Sequence, residues 1–145
     1  MTSNPGAKAL NHHSALIYVM VIVSAADGAM SDRELRAIGA LTKTLPVFQN
    51  FEEYSLIPIS QECAAMLREP DSLDSILRLV REALPPNLRE MAYALALEIA
   101  LTDRRVMIEE VRELDILRRA LGLDKLVAAA IERGARARYA LPPES

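Results

Sequence analysis

Two kinds of helical segment recur along the chain, one apolar on nearly every side and one apolar on a single face. The first all-round apolar segment runs from about Asn11 or Ser14 to Ala26, and the second runs from Leu88 to Leu101 and is interrupted by Glu98. A bilayer-spanning helix needs about 20 apolar residues, and the first segment is shorter than that. We therefore expect it to be a central core helix and expect no insertion into a membrane.

The one-faced segments carry leucine, isoleucine and valine at helical spacing between clear start and stop signals. A capping box begins at Ser31, a Pro-Pro pair ends at Pro86, and Gly122 follows a further helix. The predicted helices of this kind run from Ser31 to Pro46, Pro58 or Ser60 to Glu69, Leu73 to Leu84, Met107 to Ala120, and Asp124 to Tyr139. No alternating strand pattern is convincing, so the chain is predicted to be all-α, a compact bundle of about seven helices.

A short sequence pattern, called a phrase below, occurs twice in the chain. Val23–Asp27 leads through a short break to Glu34, and Ile99–Asp103 leads through a similar break to Glu110. Each half thus has an apolar helix that ends in an aspartate, followed by an amphipathic helix with a glutamate near its start. This pattern predicts an internal duplication of a helix hairpin, with four carboxylates at corresponding places.

Length, charge and cysteine usage narrow the class of protein. A chain of 145 residues suits one domain, which we place at 11–141 after a flexible lead-in at 1–10. The net charge of −3 gives no support for nucleic-acid binding. Cys63 is the single cysteine, which favours a reducing compartment and a buried, inert thiol. The N-terminus lacks the features of a secretory signal, so a soluble cytoplasmic protein is expected.

Asp27 and Asp103 are the most informative carboxylates, because each is expected at the C-terminal end of a helix. The helix dipole disfavours a negative charge there by roughly 0.3–1 kcal/mol. A bound cation would reverse that penalty, and an all-oxygen set suits Ca²⁺, Mg²⁺ or Mn²⁺ better than zinc or copper. The alternative is that these acids are ordinary helix punctuation, and Glu34 in particular is explained by the capping box alone.

Glu98 and the second phrase allow both interpretations. Glu98 interrupts an apolar helix, so it is either a ligand or a structural residue that pairs with an arginine or points into a solvent gap. Arg104 and Arg105 can neutralise Asp103 directly, which makes the first phrase the better candidate for a metal site.

No catalytic constellation is recognisable, so we do not expect an enzyme. His12 and His13 adjoin each other near the start of the chain, where we expect them to be exposed. Glycine-rich phosphate loops, Ser-His-Asp sets and Glu-x-x-His pairs are all missing from the sequence. Apart from a divalent cation, no cofactor is indicated.

These residues resemble the TerB family of bacterial tellurite-resistance proteins and the related N-terminal domain of membrane-anchored J-domain co-chaperones. The matching pieces are Ala25–Gly28 with Ser31 and Glu34, then Glu98–Ala100, Asp103, Val106 and Glu110, and finally Leu121–Leu123. The second phrase departs from the family pattern, with Arg104 in place of a glycine and Met107 in place of a serine or threonine cap.

The resemblance implies a compact bundle without established catalytic activity and with an acidic surface for divalent cations. Its acidic site would fall on Asp27, Glu34, Asp103 and Glu110. It also implies a link to the response to tellurite and other chemical stress, and protein partners in assemblies near the inner membrane. Two hypotheses follow: a non-enzymatic domain that binds a divalent metal, or a protein–protein interaction module whose acids are purely structural caps.

Overall fold

Seven α-helices make up the part of the chain that this computed structural model describes, which is residues 10–25, 30–102 and 112–143. They are α1 His12–Ser24, α2 Asp32–Thr44, α3 Leu56–Leu67, α4 Leu73–Ala83, α5 Pro86–Thr102, α6 Arg112–Leu121 and α7 Lys125–Arg138. Two short 3₁₀ turns, Pro46–Phe48 and Glu53–Ser55, connect α2 to α3. The described residues include no strand, and the predicted all-α bundle is confirmed.

Helix α1 is the centre of the bundle. Every residue from Ala15 to Ser24 is buried, because α5, α3 and α4 pack around the helix and α2 and α6 touch it as well. A helix that is enclosed in this way must be apolar on all sides, which accounts for the absence of a polar face in its sequence.

The two predicted hairpins occupy related places in the bundle. The buried helices α1 and α5 pack against each other, α2 contacts α5, and α6 contacts α1. Ile38 on α2 and Leu114 on α6 are corresponding positions of the two phrases, and both are buried. Both amphipathic helices contact both central helices, and each packs more extensively on α5 than on α1, so the two hairpins share one core.

Local signals set several of the helix ends. Asn11 caps α1 by accepting the Ser14 N–H at 2.8 Å. Gly122 follows α6 with φ 70°, and the Leu123 N–H donates to the Arg118 carbonyl at 3.1 Å, which is the left-handed glycine cap that the sequence predicts.

Two helix starts differ from the prediction for the same reason. Helix α3 begins at Leu56 rather than at Pro58 or Ser60, and α5 begins at Pro86 rather than at Leu88. A proline is tolerated in the first turn of a helix, where its missing N–H would have no intrahelical partner. Pro58 therefore lies inside the first turn of α3, and Pro86 is the first residue of α5, so the Pro-Pro pair does mark a boundary. The predicted turn at Asp27-Gly28 and the predicted start at Met107 lie outside the described residues.

A polar contact joins α1 to α3 in the otherwise apolar core. The Tyr18 hydroxyl donates to Glu62 Oε1, and the buried Cys63 thiol lies 3.8 Å from the Tyr18 carbonyl oxygen. Burial, and next the negative charge of Glu62, raise the pKa of Cys63 to about 12. The prediction that this thiol is buried is confirmed, since none of its surface is exposed.

Within the described ranges, no helix combines the length and the apolar character that crossing a membrane requires.

Candidate functional site

The structure describes two of the five predicted metal ligands. Glu34 lies in the first turn of α2, and Glu98 lies near the C-terminal end of α5. The other three predicted ligands, Asp27, Asp103 and Glu110, fall outside the described residues.

Glu34 forms the predicted capping box with Ser31. The Ser31 N–H donates to Glu34 Oε1 at 2.9 Å, and the Glu34 N–H donates to Ser31 Oγ at 3.1 Å. This reciprocal pair fixes the carboxylate at the N-terminus of α2, beside the junction with α1. No hydrogen bond between described residues uses Glu34 Oε2, so this oxygen can accept another partner without breaking the cap.

The Glu98 carboxylate is held by two residues at the end of α7. The Tyr139 hydroxyl donates to Oε2, and Arg138 Nη1 lies 3.1 Å from Oε1. The Glu98 side chain is 18% exposed, whereas that of Arg138 is 69% exposed. Of the two interpretations left open by the sequence, the geometry shows a structural contact for Glu98: an ion pair with a surface arginine together with a tyrosine hydrogen bond. Both carboxylate oxygens are thereby engaged.

A second group of acids surrounds the C-terminal end of α1. Glu69, Asp71 and Glu113 line a cavity of about 310 Å³ with Ala25, the residue that caps α1. The described lining includes no lysine, arginine or histidine. The C-terminal end of a helix carries partial negative charge, and the end of α1 adds that charge to the same region. The surroundings of the junction are therefore electronegative.

Glu69, Asp71 and Glu113 are not among the site residues predicted from the sequence. Glu69 and Asp71 lie between α3 and α4, whereas Glu113 lies in the first turn of α6. The helix break at Pro70 is visible in the sequence. The proximity of these acids to the end of α1 is not, because it results from the packing of α1, the α3–α4 connection and α6.

The described residues alone do not make up a metal centre. Among residues 10–25, 30–102 and 112–143, no group of three or more His, Cys, Asp or Glu side chains is arranged to hold an ion. Glu34 and Glu98 belong to no such group. A metal site at the junction would therefore need a ligand from residues 26–29, and Asp27 is the carboxylate in that range.

His13 is not exposed, contrary to the expectation for both histidines. Its Nε2 lies 2.8 Å from the Val47 carbonyl oxygen, and its ring stacks on Phe48 and contacts the edge of Phe51. The 3₁₀ turn after α2 brings these aromatic rings against the start of α1. His12 is exposed as expected. Its pKa is lowered, mainly by partial desolvation of the ring and secondarily by the charge of the adjacent His13.

The described residues form an all-α bundle built on two related hairpins, with carboxylates on a cavity at the C-terminal end of α1. The family model described as tellurite resistance protein TerB matches residues 13–133 of this chain. The chain belongs to the TerB family, and the resemblance seen in the sequence is confirmed. No curated protein and no solved structure matches the chain.

Proposed function

We propose that this TerB protein is a non-enzymatic cytoplasmic domain that binds a divalent cation at the junction of α1 and α2. Asp27 and Glu34 are the principal ligands, and the ion is Ca²⁺, Mg²⁺ or Mn²⁺. The observation that carries the proposal is the cavity at the end of α1, which Glu69, Asp71 and Glu113 line together with Ala25 and without a described cationic side chain. A cation bound there relieves the repulsion among these acids and the carbonyls of the helix end.

The geometry of Glu34 supports its role as a ligand. The capping box orders its side chain through Oε1 and leaves Oε2 for an ion. A carboxylate that is already held in place loses little conformational freedom when it binds a metal.

We expect the second phrase, Ile99–Asp103 with Glu110, to contribute less to cation binding than the first. Arg104 and Arg105 follow Asp103 directly in the sequence, and they can offset its charge. Glu98 is the weakest ligand candidate because Tyr139 and Arg138 already engage both of its oxygens. We therefore expect one cation at the first phrase, with Asp103 and Glu110 in a secondary role.

Titration calorimetry of the metal-free protein with Ca²⁺, Mg²⁺ and Mn²⁺ tests the proposal. Asp27→Asn and Glu34→Gln are the decisive variants, since glutamine also closes a capping box and so preserves α2. Each should weaken binding by about tenfold or more, because each removes a charged oxygen ligand. Asp124→Asn and Glu90→Gln make the same changes at exposed positions and should bind like the wild type. Absence of binding heat with every ion, or wild-type affinity in Asp27→Asn, would reject the site.

A second candidate is an interaction module whose acids are structural. The capping box of Glu34 and the paired carboxylate of Glu98 favour it, because each acid has a sufficient structural role. A pull-down from lysate in chelator, with wild type and with the Asp27→Asn, Glu34→Gln double variant, tests this candidate. The same partners should be retained by both proteins, and loss of every partner in chelator would contradict the candidate.

The family name also motivates a biological role in the response to tellurite. The resemblance in the sequence extends this role to other chemical stress and to protein partners near the inner membrane. A strain that lacks the protein should then grow poorly on tellurite, and the wild-type copy should restore growth. Restoration by the Asp27→Asn copy would separate this role from metal binding.

A further inference from the structure

A basic groove lies between α4 and α6, and neither metal binding nor capping makes use of it. Its cavity has a volume of about 460 Å³. Arg78 and Arg81 of α4 and Arg119 of α6 contribute three guanidinium groups to the lining, against a single carboxylate from Asp74. The whole chain has a net charge of −3, so this groove is opposite in sign to the molecule that carries it.

The helical spacing explains why the arginines converge. Arg78 and Arg81 are one turn apart on α4 and share a face, and α6 packs alongside and presents Arg119 to the same groove. Leu77, Ile116 and Ala120 form the apolar floor between these charges. Ile116 and Ala120 remain half-buried, so the floor has apolar surface left to cover.

The Arg81 guanidinium is partly positioned before any partner binds. Its Nη1 lies 3.5 Å from the Ala120 carbonyl oxygen at the end of α6. Its guanidinium also passes close to Gly122, where a Cβ would come within 3.2–3.3 Å of three guanidinium atoms. Glycine at this position leaves room for the side chain to lie across the end of α6.

The other two arginines differ in how their charge is used. Arg119 pairs through Nε with Asp115 at 3.2 Å on the exposed surface, where such pairs contribute little. The side chain of Arg78 makes no ion pair or hydrogen bond with any described residue. Cationic side chains at the rim of an apolar strip are complementary to a segment that combines carboxylates with an apolar anchor.

We infer that the α4–α6 groove binds an acidic segment of a protein partner, with carboxylates on Arg78, Arg81 and Arg119 and an apolar side chain on Ile116 and Ala120. The apolar floor favours a peptide over a free anion, which would need the charges alone. The net negative charge of the chain disfavours nucleic acid, whose binding draws on an extended basic surface.

Fluorescence polarisation with labelled twelve-residue peptides tests this inference in the presence of chelator, which keeps it separate from the metal site. One peptide combines glutamates with central leucines, a second replaces the leucines by glycine, and a third replaces the glutamates by glutamine. The folded full chain should bind the first peptide about tenfold more tightly than either of the others.

The matched variants each remove three arginine charges. Arg78→Gln, Arg81→Gln and Arg119→Gln together should weaken the binding of the first peptide by about tenfold or more. The control triple variant removes three exposed arginines elsewhere, by Arg33→Gln, Arg68→Gln and Arg133→Gln. Its affinity for the first peptide should stay within about threefold of the wild-type value. Circular dichroism of both triple variants confirms that the fold is retained, and single Arg78→Gln serves if the groove triple unfolds.

Three results would overturn the inference. Equal weakening by the two triple variants would mean diffuse charge attraction. Equal binding of the leucine and glycine peptides, with displacement by inorganic phosphate, would mean a small-anion site. No preference for the acidic peptide over the glutamine peptide would mean that the groove does not recognise carboxylates.

Discussion

The Tyr93 hydroxyl of α5 donates a hydrogen bond of 2.6 Å to Glu132 Oε2 of α7. The tyrosine is only 2% exposed, and its ring lies in the core while its hydroxyl reaches a half-buried carboxylate. Burial, and next the bond to Glu132, raise the pKa of Tyr93. The same tyrosine-to-glutamate hydrogen bond occurs twice more. Tyr18 of α1 donates to Glu62 of α3, and Tyr139 at the end of α7 donates to Glu98 of α5. Phenol–carboxylate bonds thus join helices at the edge of a core that is otherwise aliphatic.

Removing the Tyr93 hydroxyl should destabilise the fold by loosening α7 from α5. We expect Tyr93→Phe to lower the free energy of unfolding by about 1–2 kcal/mol, since a charge-assisted hydrogen bond is lost while the half-buried Glu132 can still be hydrated. Urea unfolding at pH 7 measures the change. Tyr54→Phe is the matched control, because Tyr54 is 78% exposed, and it should change stability by less than about 0.5 kcal/mol. Equal effects of the two substitutions would contradict the structural role of the bond.

The same hydrogen bond predicts a dependence of stability on alkaline pH. The pKa of Tyr93 is raised in the folded state above its ordinary value of 10.0. Below pH 10 the hydroxyl is protonated in both the folded and the unfolded state, so its contribution to the free energy of unfolding is fully present. Above pH 10 the unfolded chain loses this proton first, and folding stability declines. The stability difference between wild type and Tyr93→Phe should therefore narrow above pH 10, in urea titrations at pH 8, 10 and 11. If the stability difference between wild type and Tyr93→Phe widens over this range, the pKa of Tyr93 is not raised in the folded state.

The buried thiol should be unreactive in the native protein. With its pKa raised to about 12 and no exposed surface, Cys63 has neither the thiolate nor the access that disulfide exchange requires. We expect Ellman's reagent at pH 8 to label the folded protein only at the rate of unfolding and to label the urea-unfolded chain at once. Rapid labelling of the folded chain, at a rate that rises with reagent concentration, would show that the thiol is accessible.

The helices were predictable because their signals are local. The Ser31–Glu34 capping box, the glycine after α6 and the apolar periodicity of α4 all lie within a few residues of the ends or faces that they specify. The core position of α1 was also predictable, because a helix without a polar side has no stable place at the surface.

The surroundings of the candidate site were not predictable in this way. Glu69, Asp71 and Glu113 meet near Ala25 only after α3, α4 and α6 have packed around α1. The partners of Glu98 follow some forty residues later along the chain, and periodicity within α5 carries no information about them. The sequence therefore indicated which acids were unusual, whereas the neighbours that determine their charge and freedom depend on tertiary structure.

The capping box should contribute to stability through the serine as well as the glutamate. Ser31→Ala removes the acceptor of the Glu34 N–H, and we expect it to lower the free energy of unfolding by about 1 kcal/mol. Ser75→Ala, at an exposed position inside α4, replaces serine by a better helix former and should be neutral or slightly stabilising. Thermal and urea unfolding of both variants measure the difference. A neutral Ser31→Ala would mean that α2 begins without need of its cap.

Two glycines should respond to alanine with opposite signs. Gly122 has φ 70° at the end of α6, a conformation that costs a residue with a Cβ about 1 kcal/mol, so Gly122→Ala should destabilise the protein by that amount. The nearby Arg81 guanidinium ends a flexible side chain and can move aside, which leaves the backbone conformation as the main cost. Gly134 lies inside α7, and no neighbouring atom comes within 4 Å of the place that a Cβ would occupy, so Gly134→Ala should stabilise by about 0.5–1 kcal/mol. Equilibrium unfolding of the two variants measures the sign directly, and stabilisation by Gly122→Ala would contradict the left-handed cap of α6.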